Sequence, residues 1–134
     1  MRNELRLPLK RKWFEMTKLK IKKEDYRELT PYWLCRLCYW NDETIFSDGH
    51  DVLAFLEELK NPLNDVILIL KDYGIKFKNF STNVMTLGYP KSTDESRILR
   101  LEHDGIEIRE GNPEWGAETE KLYFVIKHRM LKTC

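Results

Sequence analysis

The sequence has almost no excess of charge of either sign. Its 23 lysines and arginines face 22 aspartates and glutamates, so no overall positive field favours nucleic acid. Affinity for a long duplex depends on neutralising many phosphates. Any nucleic-acid function must therefore use a local patch of cations and a short ligand.

A long apolar run is also missing. The longest aliphatic stretch, residues 66–70, is far below the roughly 20 residues that a membrane-spanning helix needs. The segment MRNELRLPLKRKWF at the start is basic but has no uninterrupted apolar core, so it does not resemble a signal peptide. We therefore expect no membrane partner and a cytoplasmic location.

Cysteine is scarce. Cys35, Cys38 and Cys134 make an odd number, which does not suggest a disulfide framework. Cys35 and Cys38 have the spacing of zinc ligands, but structural zinc needs four ligands and no second cysteine pair exists. The histidines are scattered: His50, His103 and His128. We expect no metal and no cofactor, and we interpret the Cys35–Cys38 pair as core packing on a helix.

Two common enzyme motifs are absent. The glycines are isolated, so no glycine-rich phosphate loop is present, and no serine lies in a G-x-S-x-G setting. With 42% hydrophobic and 34% charged residues, the composition is that of one globular domain spanning residues 1–134. A hydrolase of the standard kinds is not indicated.

The first forty residues alternate between strand and helix patterns. Leucine alternating with proline or basic residues over 5–11 predicts an edge strand with its leucines inward. A short helix is predicted over 12–20 and a strand or extended segment over 22–29. Thr30 can cap a helix over 31–40 that begins at Pro31.

The middle of the chain predicts two helices. Residues 41–51 are rich in Asn, Asp, Ser and Gly, which indicates a loop. Apolar spacing over 52–59 predicts an amphipathic helix. Asn61–Pro62 would end it and open a second helix, which Gly74 would terminate.

The second half of the sequence is strand-like. Strand patterns cover 83–89, 97–109 and 121–130, and Asp104–Gly105 inside the second predicts a hairpin turn. The total is about five or six strands, with helices gathered in the first half. This arrangement is typical of the α+β class.

Cations alternate with aromatic residues over 19–37. Such a mixture suits a single-stranded nucleotide, because the cation meets phosphate and the ring stacks on a base. Strand alternation places Lys22, Glu24 and Tyr26 on one side. The other interpretation is that the lysines coat the surface and the aromatics fill the core, and the composition leaves both open.

Four blocks of the sequence resemble the ASCH domain family, particularly its small bacterial and phage members. The blocks are KIKKEDYRE, PYWLCRL, GYPKSTDESR and NPEWGAETEKLYFVI. The resemblance covers residues 5–37 and 77–127, and residues 41–75 are expected to be a variable helical insertion. It implies a PUA-like small β-barrel with flanking helices and a cleft that takes RNA, a nucleotide or a modified nucleoside.

The signature of this family, G-x-K-x-x-x-x-R, places a lysine and an arginine in the cleft. Lys22 and Arg27 match it, whereas Lys20 replaces the glycine, which we expect to alter a turn without removing the charged pair. Some similar proteins are amidohydrolases for N4-acetylcytidine and others are ribonucleases. Their amidohydrolase pattern has threonine where this chain has Asp25, so that nucleophile does not carry over.

The leading hypothesis is an RNA- or nucleotide-binding domain with a basic and aromatic cleft. The candidate ligand-binding residues are Lys22, Tyr26, Arg27, Tyr32, Trp33, Arg36, Tyr89, Arg97 and Trp115. One alternative is an enzyme acting on RNA or a modified nucleoside, in which Lys22 works with Asp25, Glu24 or Glu114 as acid and base. Another is a protein-interaction module with a host partner.

Two loops bear on this cleft. Tyr89 and Arg97 flank a polar loop that would bring them together near a strand end, or Arg97 would simply pair with Glu95 or Glu102. In GNPEWGAE, Trp115 either packs over one end of the barrel or forms a wall of the cleft.

Overall fold

The chain has a mixed α+β fold, as the sequence predicts. The computed structural model describes residues 3–46, 48–49, 51–91 and 93–129. Within these ranges a five-stranded sheet curls into a half-barrel, accompanied by a three-stranded sheet and four helices. The helices are α1 (Arg11–Lys18), α2 (Pro31–Leu37), α3 (Val52–Lys60) and α4 (Val66–Tyr73). The strands are β1 (Glu4–Leu9), β2 (Glu24–Arg27), β3 (Cys38–Trp40), β4 (Glu43–Thr44), β5 (Ile75–Phe77), β6 (Thr82–Leu87), β7 (Ile98–Glu110) and β8 (Leu122–Arg129).

The half-barrel has the strand order β1-β6-β7-β8-β2, so β1 and β2 are its two edges. β1 pairs with β6 in parallel and every other pair in this sheet is antiparallel. The smaller sheet has the order β4-β3-β5. Its short strands raise the total above the five or six that we expected.

β1 is the edge strand that the sequence predicts. Leu5, Leu7 and Leu9 are buried and alternate with more exposed residues. Proline is tolerated on an edge because it lacks the N–H that an inner strand would need. Pro8 instead turns its carbonyl toward β2, where Arg27 donates to it.

α1 ends in a Schellman motif with lysine where glycine is usual. Ile21 N donates to Met16 O at 2.9 Å and Lys20 N donates to Thr17 O at 3.1 Å. Lys20 has a φ of 65°, in the left-handed region. Lys22 N also donates to Met16 O, at 3.1 Å, so this motif fixes the path by which the chain reaches β2.

The predicted helix over 31–40 is too long at its end. Its start is confirmed, since Thr30 Oγ1 accepts a hydrogen bond from Trp33 N and Pro31 is the first helical residue. The helix stops at Leu37, and Cys38–Trp40 becomes β3, paired with β4 and β5. The apolar pattern alone fits either state, and pairing with distant residues decides between them.

Both predicted middle helices are present. The core-facing residues of α3 are Val52, Phe55, Leu56 and Leu59. Leu53, which we placed in the same apolar pattern, is 66% exposed. α4 starts at Val66 rather than at Asn61–Pro62, because Asp65 Oδ1 accepts from two N–H groups of the first turn. Gly74 ends α4 with a φ of 72°, as predicted.

The predicted hairpin at Asp104–Gly105 is wrong. β7 is one continuous strand that pairs with β6 up to Glu102 and with β8 from Glu102 onward, with a register shift between His103 and Ile106. Gly105 has a φ of 101°, which the irregular register requires. Bulges bend and twist a strand, so Asp-Gly here curls the sheet instead of reversing the chain.

The cysteines pack in or against the core, as expected, but only Cys35 lies on a helix, because Cys38 is the first residue of β3. Cys38 is fully buried and Cys35 is half-buried, and both are free thiols. Burial raises the pKa of the Cys38 thiol to about 12, which disfavours the reactive thiolate. His50 and Cys134 lie outside the described residues.

No helix within the described ranges is long and apolar enough to span a bilayer.

Candidate functional site

Lys22 is a buried amine just before β2. Its side chain is 2% exposed, and Nζ donates to Glu24 O at 2.6 Å and to Asp25 Oδ1 at 3.4 Å. Burial lowers the pKa of Lys22, while Asp25 acts in the opposite direction. An ammonium group has three N–H donors, so these two acceptors leave one donor without a hydrogen-bond partner among the described residues, and Nζ lies 5.4 Å from the centre of the Tyr26 ring.

Asp25 shares its carboxylate between two cations. Oδ1 faces Lys22, and Oδ2 accepts from Arg27 Nε at 2.5 Å. Arg27 also donates from Nη2 to Pro8 O at 2.8 Å. Because Pro8 lies on β1 and Arg27 on β2, this hydrogen bond connects the two edges of the half-barrel.

A cavity of about 370 Å³ lies beside Lys22, and we call it the Lys22 cavity. It is lined by Trp13, Lys22, Asp25, Tyr26, Glu28, Trp115, Gly116, Glu118, Lys121 and Tyr123. Four of these residues are aromatic, and three carboxylates face two cations. A size and lining of this kind suit a small planar ligand better than a phosphate.

Glycines allow the loop after β7 to approach two rings of this cavity. A Cβ at Gly111 would lie 2.7 Å from the Tyr26 ring, and one at Gly116 would lie 2.8 Å from the Trp13 ring. Gly116 also has a φ of 99°. Both positions therefore require glycine, and the short 3-10 turn Pro113–Trp115 between them is held against the cavity.

Trp115 is half-buried and belongs to neither hydrophobic cluster of the described residues. It lies on the wall of the Lys22 cavity. Its neighbour Glu114 is exposed and does not line this cavity. The carboxylates that do line it belong to Asp25, Glu28 and Glu118.

A second cavity of about 450 Å³ lies on the other side of Asp25 from the Lys22 cavity, and we call it the arginine cavity. It is lined by Arg6, Pro8, Arg27, Tyr32, Trp33, Arg36, Thr86, Gly88, Tyr89 and Pro90, with no acidic residue among them. The guanidinium groups of Arg27 and Arg36 lie 4.8 and 5.1 Å from the centre of the Trp33 ring. Cations and rings thus face the same space.

The structure divides the predicted cleft residues between these two cavities. Lys22, Asp25, Tyr26 and Trp115 line the Lys22 cavity. Arg27, Tyr32, Trp33, Arg36 and Tyr89 line the arginine cavity. Arg97 lines neither, and its Nε lies 3.4 Å from Asp94 rather than beside Glu95 or Glu102.

Sequence reasoning missed several lining residues. Arg6 is one of the basic residues that alternate with the inward leucines of the predicted strand over 5–11, and Trp13 lies in the helix predicted over 12–20, but neither was expected in a cleft. Tyr123 comes close because β8 pairs with β2, which sets the Tyr26 and Tyr123 rings 5.7 Å apart. Alternation along β1 could have pointed to Arg6, but no local signal indicates which strands become neighbours.

Glu24 does not line the Lys22 cavity but holds a residue that does. Tyr26 donates to Glu24 Oε1 and Arg109 donates to Glu24 Oε2, both at 2.6 Å. Burial raises the pKa of Glu24, but these hydrogen bonds outweigh burial and the net shift is downward. Glu24 therefore remains ionised and orients the Tyr26 ring on the cavity wall.

No family model, curated protein or solved structure matches this chain. Among the described residues no group of three or more His, Cys, Asp or Glu side chains is placed to hold a metal ion.

Proposed function

We propose that this chain is an ASCH-type domain with a PUA-like fold that binds a nucleotide or a short single-stranded RNA. The observation that carries the proposal is the position of Asp25 between an aromatic cavity and a cationic cavity. A nucleotide has the same two parts, a planar base and an anionic phosphate. We also propose a cytoplasmic location, since Cys35 and Cys38 are free thiols.

The Lys22 cavity is suited to a base. Stacking on an aromatic ring is worth about 1–3 kcal/mol per base, and Trp13, Tyr26 and Trp115 are on the wall. The N–H that Lys22 does not use internally can donate to a base carbonyl. The acidic lining disfavours phosphate at this place.

The arginine cavity is suited to phosphate. It has three guanidinium groups and no lining carboxylate, and guanidinium matches phosphate geometry through paired N–H donors. Since the total charge of the chain is only +1, the affinity rests on this local patch. Because this patch can contact only a few phosphates, we expect a short ligand.

Binding of a fluorescently labelled hexauridylate, followed by anisotropy, tests the proposal. Affinity should fall between about 50 and 200 mM salt, because phosphate contacts release counterions. Lys22→Met should weaken binding roughly tenfold, the effect of losing one charge-assisted hydrogen bond. Lys23→Met, an exposed neighbour, is the matched control. No binding, or affinity independent of salt, would overturn the proposal.

Trp115→Ala gives a second test that does not depend on a buried charge. Because Trp115 lies on the cavity wall and outside the hydrophobic clusters, we expect a larger loss of RNA affinity than of thermal stability. Equal affinity in the variant and the wild type would remove the ring from the binding site.

An enzyme acting on a modified nucleoside or RNA is the second candidate, favoured by the lowered pKa of Lys22 beside a carboxylate. In an amide hydrolysis, neutral Lys22 would take a proton from water, the water oxygen would attack the acyl carbon, and the amine would leave with the proton. Incubation with N4-acetylcytidine should then yield cytidine and acetate, and Lys22→Ala should abolish it. Absence of product from both this substrate and RNA would reject the candidate.

A further inference from the structure

Among the arginines that the structure describes, Arg6 and Arg36 are the two without a carboxylate partner. Within the part of the chain that the structure describes, each of the other arginines has a carboxylate oxygen within 4.0 Å, and these are Arg11, Arg27, Arg97, Arg100, Arg109 and Arg129. Both exceptions line the arginine cavity. The positive charges of these two arginines are therefore uncompensated by carboxylates, and both lie at the arginine cavity.

Two of the three guanidinium groups of this cavity, those of Arg27 and Arg36, are held in position before any ligand binds. Arg36 donates to Tyr32 OH at 3.3 Å and to Arg6 O at 3.4 Å. Arg27 is fixed by Asp25 and by Pro8 O. Both groups also lie over the Trp33 ring. Ordering these side chains costs little on binding, because their rotamers are already restricted.

The charge on the ligand distinguishes two kinds of phosphate. A phosphodiester inside an RNA chain carries one negative charge, whereas a phosphate monoester carries about −1.5 to −2 near neutral pH. A monoester also has three terminal oxygens that can accept from several guanidinium groups. A cavity lined by three arginines and by no carboxylate therefore matches a phosphate monoester better than a phosphodiester.

An exposed ring lies at the same cavity. Tyr89 is 93% exposed and follows Gly88, whose φ is 63°. This turn places a tyrosine among the lining residues although little of its surface is packed. An exposed aromatic ring beside bound phosphate can stack on the attached base.

We propose that the arginine cavity selects a phosphate monoester, carried either by a free mononucleotide or by the end of an RNA strand, through Arg6, Arg27 and Arg36. This inference rests on the proposed function and sharpens it, because it changes the ligand from any short RNA to one with a terminal phosphate. The two carriers share this chemistry, and the experiment separates them.

The test compares matched ligands by calorimetry. Hexauridylate with a 5′-phosphate, with a 3′-phosphate and with both ends as hydroxyls gives the RNA arm, and UMP against uridine gives the nucleotide arm. We expect at least one phosphorylated ligand to bind roughly tenfold more tightly than its hydroxyl counterpart, as a charge-assisted contact predicts. Preference in the RNA arm alone assigns the site to an RNA end, and preference for UMP assigns it to a free nucleotide.

Variants then connect the preference to these side chains. Arg6→Gln and Arg36→Gln leave no carboxylate unpaired, so both should fold, and together they should abolish the preference for phosphate. Arg129→Gln is the matched control, because Arg129 is 65% exposed and lines neither cavity. A preference that survives the double variant would overturn the inference.

The remaining outcomes separate the inference from the proposed function. Equal binding of phosphorylated and hydroxyl ligands would overturn the inference while RNA binding stands. Absence of binding to every ligand would overturn both.

Discussion

Nζ of Lys22 lies 3.4 Å from Oδ1 of Asp25, and neither side chain is more than 5% exposed. Removing one partner of such a pair leaves a buried charge without compensation, which is costly. Asp25 also holds Arg27. The pair therefore influences stability and both cavities together.

The stability of the wild type relative to Lys22→Met should increase with pH. Burial lowers the folded pKa of Lys22 below its ordinary 10.5, so the unfolded chain binds more protons in the interval between the two values. Below the folded pKa the free energy of unfolding is reduced by the full cost of burying the ammonium group. This cost disappears as the pH approaches 10.5, where the unfolded chain also loses the proton. Urea unfolding of both proteins at about pH 7 and about pH 10 measures the difference.

Lys23→Met serves as the control for the loss of a lysine from the same segment. If the difference between the wild type and Lys22→Met were the same at both pH values, Lys22 would not be a buried titrating group.

Asp25→Asn should destabilise the protein by about 3 kcal/mol, because it keeps the shape of the side chain but leaves Lys22 without its carboxylate partner. The same change should lower the pKa of Lys22 further, since Asp25 opposes the effect of burial. Urea unfolding near neutral pH gives the stability. Glu118→Gln removes an exposed carboxylate of the same cavity and should change stability little. Similar losses in the two variants would contradict the importance of the shared carboxylate.

Lys20→Gly should stabilise the fold by about 0.5–1 kcal/mol. A left-handed conformation costs a residue with a side chain roughly 1–2 kcal/mol, which exceeds the entropy that glycine loses on folding. Lys20 has this conformation, whereas the exposed Lys23 has no positive φ. Lys23→Gly is therefore expected to lower the melting temperature while Lys20→Gly raises it. A lower melting temperature for both would show that the Schellman turn is not strained.

Gly105→Ala should destabilise the protein by roughly 1–2 kcal/mol, through the backbone alone. The φ of Gly105 is 101°, but a Cβ there would meet only Lys127 Cε at an ordinary 3.8 Å. Asp104→Ala, at a neighbour without a positive φ, loses one exposed ion pair with Arg129 and is the comparison. Thermal unfolding that ranks Asp104→Ala as the more harmful change would argue against the bend in β7.

Several elements were predictable from local sequence signals. The alternating leucines of β1 face the core, Thr30 and Pro31 begin α2, and Gly74 ends α4. At the ends of α2 and α4 a hydrogen bond within a few residues determines the backbone, whereas β1 pairs with the distant β6 and is recognisable by its alternation alone. Both kinds of signal are visible in a short window of sequence.

Signals that depend on distant strands were harder to interpret. Asp104–Gly105 suits a hairpin turn as well as a bend, and only pairing with both β6 and β8 makes β7 continuous. Likewise, Lys22 and Arg27 are close in sequence, but their cavities are completed by Trp115 and Tyr89, respectively. Most of the predicted cleft residues line one of the two cavities, but the sequence indicated neither the contributions of Arg6, Trp13 and Tyr123 nor the division into two cavities.

The strand order of the half-barrel has a consequence for the timing of folding. Glu4 pairs with Thr82 and Asp25 pairs with Ile126, so both edges join partners far along the chain. Such contacts form slowly, because long loops must close before pairing stabilises them. On the ribosome, Lys22 and Arg27 emerge long before β8. The Lys22 cavity, which Trp115, Glu118 and Tyr123 complete, is therefore formed late in folding, and an incompletely synthesised chain has the cations without this cavity.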